Sequence, residues 1–209
     1  MVKSNHIKDF LHAMVVHKHS SAILIRLAYI LGSLTTNFED ARKALCAIDE
    51  KRSSFATLLE LGNFYLVELK KGEGLKTPAQ MTSEKKPGSR SKTNKQLPTK
   101  YEEFSHGNLE DAVTKIIKLF ANLATEEEVA SQEFQTHKEP LGEFVKELSM
   151  AVSKSSLEQN EEFILNAVSC ITNILYYDTA SSPILTPELR SQVFGCVKKY
   201  LLETKNDEI

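Results

Sequence analysis

The sequence predicts an all-α chain of stacked repeats, and three observations carry that prediction. First, Val113, Ile116, Ile117, Phe120 and Leu123 recur at three- and four-residue steps within Asn108 to Val129. That is the period of a helix with one apolar face. Second, the corner closing this helix recurs. Lys118-Leu119-Phe120-Ala121-Asn122-Leu123-Ala124 aligns with Ser169-Cys170-Ile171-Thr172-Asn173-Ile174-Leu175 and with Tyr29-Ile30-Leu31-Gly32-Ser33-Leu34-Thr35. Third, Asn173 follows Asn122 by 51 residues and Asn122 follows Ser33 by 89, with a lysine-rich tract inside the longer interval. Discounting roughly 35 residues for the tract restores the shorter period, and fixed-period self-similarity in a helical chain means stacked repeats.

Taken in order, Asn5 to His19 reads as a helix with Ile7, Phe10, Leu11, Met14 and Val15 on one face. Ser20 or Ser21 can cap the next helix, which runs to about Thr35 and is apolar nearly all round, as a helix packed on several sides is. Phe38 to Ile48 predicts a short helix and Phe55 to Leu69 a longer one. From about Lys71 to His106 the periodicity is lost. Gly, Pro, Ser, Thr and Lys dominate there, and such a tract cannot bury enough surface to offset its ordering entropy. Disorder is the expectation for residues 72–106.

Asn108 can cap the following helix, with Glu110 and Asp111 in its first turn where the dipole favours negative charge. Thr125 and Glu128 have the spacing of a capping box that opens a short helix to about Gln135. Pro140 suits the first position of a helix over Leu141 to Val152. Asn160 can cap Glu161 to Tyr177, Asp178 to Pro183 reads as a loop, and Thr186-Pro187 opens a last helix to Leu202.

At 209 residues, 41% hydrophobic and 26% charged, the chain is long enough for a sizeable core and ordinary for a soluble protein. The net charge of −2 gives no general pull toward nucleic acid or membranes, but it is unevenly spread. Lys70 to Lys100 holds nine basic residues and two acids, so the tract is +7 and the remainder −9. Contact between that tract and a polyanion would be weak and salt-sensitive. The tract lacks the interleaved aromatics of a specific single-strand binder. Three widely spaced cysteines, Cys46, Cys170 and Cys196, form no CxxC pair; Cys170 and Cys196 read as small buried hydrophobes in a reducing compartment. No apolar run reaches the roughly 20 residues a bilayer requires, and the N-terminus lacks a signal-peptide core.

No catalytic motif is present: HExxH, GxSxG and GxxxxGK[ST] are all missing. His12, His17 and His19 do not share one helix face, which leaves exposed or packing histidines. The prediction is a chain that is not an enzyme and uses no cofactor and no metal.

Leu27-Ala28-Tyr29-Ile30-Leu31-Gly32-Ser33-Leu34 and Leu119-Phe120-Ala121-Asn122-Leu123-Ala124 resemble the end of the third helix of an armadillo repeat. The resemblance covers nearly all the chain outside the lysine-rich tract. It implies an armadillo-like right-handed α-solenoid of about three repeats, interrupted by a disordered loop insertion. Because the family pattern would both open and close the chain on a second helix, it further implies that residues 1–209 are a single solenoid fragment. The function implied is a non-catalytic protein-binding scaffold or adaptor. The pairing of AYILGSLT with LFANLATEEEV is similar to armadillo proteins of axoneme assembly, which implies a cytoplasmic protein of the cilium or flagellum that helps build or transport axonemal components. The alternatives are a structural subunit of a large assembly, or a polyanion- or RNA-binding module led by the lysine-rich loop.

In armadillo proteins the third helices line a concave groove that takes an extended partner segment. The resemblance puts three sets of residues there: Arg26, Tyr29 and Ser33; Lys115, Lys118 and Asn122; Asn166, Ser169 and Asn173. Each set is spaced i, i+3, i+7, which is one helix face. An asparagine amide offers both donor and acceptor to a peptide unit, and Asn122 and Asn173 stand at the position the family uses for it. The family's import receptors carry tryptophans one turn earlier. Here those positions are Tyr29, Lys118 and Ser169, and the chain has no tryptophan. An acidic or neutral partner suits this groove better than a basic signal.

Overall fold

The computed structural model describes residues 4–46, 53–73 and 106–203. Among them the chain is all-helical, with no strand and one isolated bridge, Thr179 to Ser182. The described helices are α1 (Ser4–Val16), α2 (Ser21–Asn37), α3 (Glu39–Cys46), α4 (Ser54–Glu73), α5 (His106–Leu123), α6 (Glu127–Thr136), α7 (Lys138–Lys154), α8 (Leu157–Tyr177) and α9 (Pro187–Glu203).

Two series of helices share one core. Helices α2, α5 and α8 pack side by side in that order. Helices α1, α4, α7 and α9 form the second series, and α4 also packs on α5. Helices α5 and α8 run parallel: Asn160 near the start of α8 donates to Glu110 near the start of α5, and Asn173 near the end of α8 donates to the Ala121 carbonyl. Helices α2 and α5 also run parallel, since Asn122 near the end of α5 meets residues at the end of α2. The apolar stripe of α5 is buried, Val113, Ile116, Ile117, Phe120 and Leu123 alike. An aromatic cluster joins α4, α5, α6 and α7. Phe55 stands edge-on to Phe120 at 5.5 Å between centroids, and Phe120 lies 4.8 Å from Phe144; such pairs add to burial through their ring quadrupoles. Gly62 lets α4 approach these rings closely.

Several helix ends differ from the sequence expectation, each for a tertiary reason. Helix α1 stops at Val16, before His19. The turn after it is held against α4 by the Tyr65 hydroxyl, which donates to the Lys18 carbonyl at 2.7 Å, and by the His19 ring edge-on to Phe64. Ser20 occupies the cap position of α2 but makes no side-chain cap bond. Helix α4 continues past Leu69 to Glu73, with Lys70 paired to Glu147 and Lys71 to Glu68. Residues 72, 73 and 106 are therefore helical, and the rest of the expected disordered stretch, 74–105, lies outside the described residues.

Helix α5 begins at His106 because Leu109, four residues before Val113, extends the buried stripe by a turn. Asn108 is thus inside the helix rather than its cap, and Glu110 and Asp111 fall in the second turn. The expected capping box is not formed either. The Thr125 hydroxyl instead donates to the Asn122 carbonyl, while Glu126 takes the cap position of α6 and pairs with Arg42. Pro140 is the third residue of α7, still in the first turn where an N–H has no intrahelical partner. Helix α8 starts at Leu157 and kinks at Asn160, whose φ of −132° and ψ of 35° are non-helical. At α9 the structure agrees with the sequence: Thr186 accepts from the Leu189 N–H and Pro187 opens the helix. The loop before it is held by Asp178, whose side chain is 1% exposed and accepts from the Ile184 and Leu185 N–H groups and from Arg190.

Candidate partner-binding face

The three predicted sets sit on the three members of one helix series. On α2, Arg26, Tyr29 and Ser33 are exposed, Tyr29 at 62%. On α5, Lys115, Lys118 and Asn122 are half-buried; on α8, Ser169 is exposed while Asn166 and Asn173 are half-buried. Parallel helices held in register bring corresponding positions of the three sets to the same side.

Most of these side chains have partners inside the chain. The Asn122 amide donates to the Gly32 carbonyl at 3.2 Å, to Thr35 Oγ1 at 2.9 Å and to Thr36 Oγ1 at 3.0 Å. The Asn173 amide donates to the Ala121 carbonyl at 2.9 Å, a last-turn carbonyl that the helix itself leaves without a donor. Both asparagines therefore hold a preceding helix, Asn122 through both of its N–H groups and Asn173 through one. Lys115 Nζ lies 2.6 Å from Glu162 and 3.7 Å from Asp111, so its charge is largely compensated. Asn166 donates to the Glu162 carbonyl within its own helix at 2.7 Å. What stays available is Arg26, Tyr29, Ser33, Lys118 and Ser169. Among the described residues, neither Arg26 nor Lys118 makes an ion pair or hydrogen bond.

Other polar features lie away from this face. A groove of about 930 Å³ between α7, the 178–186 loop and the start of α9 is lined by Lys138, Glu143, Lys146, Leu185 and Arg190. Its charges are mostly paired, Lys146 with Glu143 and Arg190 with Asp178. Ser53, Glu133 and His137 also come together. Serine and histidine both address the same buried carboxylate, and the Ser53 hydroxyl accepts from the Ala56 N–H as the cap of α4. That arrangement ties down a helix start; a hydroxyl nucleophile would need the imidazole as its base. Among the described residues no three His, Cys, Asp or Glu side chains group as a metal would require. None of the described helices is long and apolar enough to cross a membrane.

Comparison with protein-family models, with curated proteins and with solved structures finds no match for this chain.

Three partners of the face were missed at the sequence level. Glu162 lies 51 residues after Asp111, the same repeat position, and both reach Lys115; the repeat spacing could have flagged it. Of the two residues that receive the Asn122 amide, Thr36 shares its repeat position with Thr125, whereas Thr35 has no hydroxyl counterpart at Ala124 or Leu175, so no periodic signal announced it.

Proposed function

We propose that this chain is an armadillo-like right-handed α-solenoid of about three repeats that serves as a non-catalytic protein-binding scaffold. Its α2–α5–α8 face takes an extended, acidic partner segment. The observation that carries the reading is the two uncompensated cations on neighbouring helices, Arg26 on α2 and Lys118 on α5, with the exposed Tyr29 ring one turn after Arg26. A carboxylate meeting two unpaired cations gains charge-assisted hydrogen bonds without breaking existing ones. The exposed ring offers a flat apolar surface at little entropic cost. Side-by-side packing of α2, α5 and α8, with a second series behind them, supports the repeat reading. The context in cilium or flagellum axoneme assembly rests on the likeness of the Tyr29 and Phe120 segments to armadillo proteins of that kind.

The test is binding of an array of labelled acidic, neutral and basic peptides to the parent chain, to Arg26→Glu/Lys118→Glu and to a chain lacking residues 74–105. The expected result is preference for acidic peptides, lost in the double variant with helical content unchanged. Loss only on deleting 74–105 would replace this reading with polyanion binding by the lysine-rich tract. Capture from ciliated-cell lysate tests the context: axonemal components should be retained by the parent and released by the double variant.

A further inference from the structure

The amide-to-carbonyl link between helices repeats along the first series and leaves a matching position open on α8. Asn122 of α5 reaches the Gly32 carbonyl of α2, and Asn173 of α8 reaches the Ala121 carbonyl of α5. Gly32, Ala121 and Thr172 occupy one repeat position, each directly before Ser33, Asn122 or Asn173. Gly32 and Ala121 are buried, whereas Thr172 is exposed. Seven residues earlier the pattern is the same: Thr114 is buried and Ile25 half-buried, but Leu165 is 54% exposed. Helix α8 thus presents to solvent the edge that α2 gives to α5 and that α5 gives to α8.

The complementary edge is exposed on α2. Ala112 and Leu119 of α5, and Phe163 and Cys170 of α8, are all buried. Their counterparts by repeat position on α2 are Ile23 and Ile30, each 40% exposed. The second series is open at the same two ends, with Val16 exposed on α1 and Phe194 and Leu202 on α9.

We propose that a second copy of this chain lays its α2 on the open edge of α8, continuing the α2–α5–α8 series head to tail. The two edges fit because each is one half of an interface already made twice within the chain. Ser33 stands where Asn122 and Asn173 stand, and its hydroxyl supplies a shorter donor toward the Thr172 carbonyl. A head-to-tail contact of this kind does not close on itself, so it yields open chains of growing length. The inference rests on the stacked-repeat reading and does not need the acidic-partner reading of the groove, with which it shares Ser33 and the Arg26 side of α2.

The experiment is sedimentation velocity of the full chain from about 1 to about 300 μM. The parent's weight-average mass should rise with concentration above the 23.5 kDa monomer, without levelling at a dimer. Leu165→Glu spoils only the α8 edge and Ile30→Glu only the α2 edge. Each variant alone should stay monomeric, while an equimolar mixture, in which one good edge of each kind remains, should form a 1:1 dimer. Both side chains are exposed, and Thr172→Lys is a second variant of the α8 edge. A parent that stays monomeric over the series, association that survives these variants, or a mixture that stays monomeric would each overturn the proposal. So would an α8 edge that accepts only another protein's helix. Lys118→Glu, on the middle helix α5 and away from both open edges, should self-associate like the parent, which separates failure of the groove reading from failure of this one.

Discussion

Replacing Asn122 with alanine tests whether this residue holds two helices together or serves a partner. The amide has two N–H donors and three acceptors within 3.2 Å: the Gly32 carbonyl and the hydroxyls of Thr35 and Thr36. Two hydrogen bonds at a time, at about 1 kcal/mol each, give a loss of about 2 kcal/mol. Thr35 makes this estimate firmer, since it is buried and its hydroxyl already donates to the Leu31 carbonyl, so the lone pair facing Asn122 would be left without a donor. For a chain of this size about 2 kcal/mol lowers the melting temperature by about 4–8 °C. Asn173→Ala breaks one bond, to Ala121, and should cost about half as much. Asn122→Asp keeps the volume and can accept from both threonine hydroxyls, but sets a carboxylate near the Gly32 carbonyl; it should recover only part of the loss. Thermal and urea unfolding followed by far-ultraviolet circular dichroism give the comparison. A melting temperature for Asn122→Ala within about 1 °C of the parent would refute the inter-helix role. If that variant also lost peptide binding, the amide would belong to the groove after all.

Two further outcomes follow from burial. A Cβ on Gly62 would come within 2.8 Å of the Phe144 ring and 3.3 Å of the Phe120 ring, whereas one on Gly195 would meet nothing within 4 Å. Gly62→Ala should therefore destabilise by about 1–2 kcal/mol net, overpacking outweighing the helix-propensity gain, while Gly195→Ala should stabilise by up to about 1 kcal/mol; equal signs in urea unfolding would contradict the packing. Burial pushes the Cys170 thiol from 9.0 up to about 12. With the folded value raised, its contribution is complete below pH 9 and is lost as pH climbs toward 12, at up to about 1.4 kcal/mol per pH unit. A Cys170→Ala chain should show a shallower decline over that range. In the parent at pH 8, mapped alkylation should mark Cys170 only after unfolding.

What could be read from the sequence was what depends on periodicity. The α5 stripe and the Thr186-Pro187 start of α9 both rest on spacing along one helix, and each has its counterpart in the structure. The helix ends were less legible. Asn108 and Thr125 have good cap chemistry, yet Leu109 draws the start of α5 back into the core and Thr125 turns to the Asn122 carbonyl. Local preference of about 1 kcal/mol for a cap is overridden where burying a leucine contributes about 1.5–3 kcal/mol. The lengthening of α4 to Glu73 likewise depends in part on Glu147, which is far away in sequence.

The candidate site shows the same division at the level of single side chains. The armadillo resemblance implies an amide at the groove position, but it cannot say whether that amide turns outward to a peptide or sideways to the next helix. The choice depends on how closely the helices approach. At Gly32 and Ala121 the side chains are small enough for an amide from the neighbouring helix to reach the backbone carbonyl. Under the proposed reading, with those donors engaged between helices, recognition on this face would fall to Arg26, Lys118 and Tyr29, which suit charge and flat surface rather than the peptide backbone. Backbone gripping tolerates any sequence, whereas two cations select acidic segments and weaken as salt screens them. On the proposed reading, inward-bonded amides in place of outward ones change the partner this face would select, from any extended chain to an acidic one.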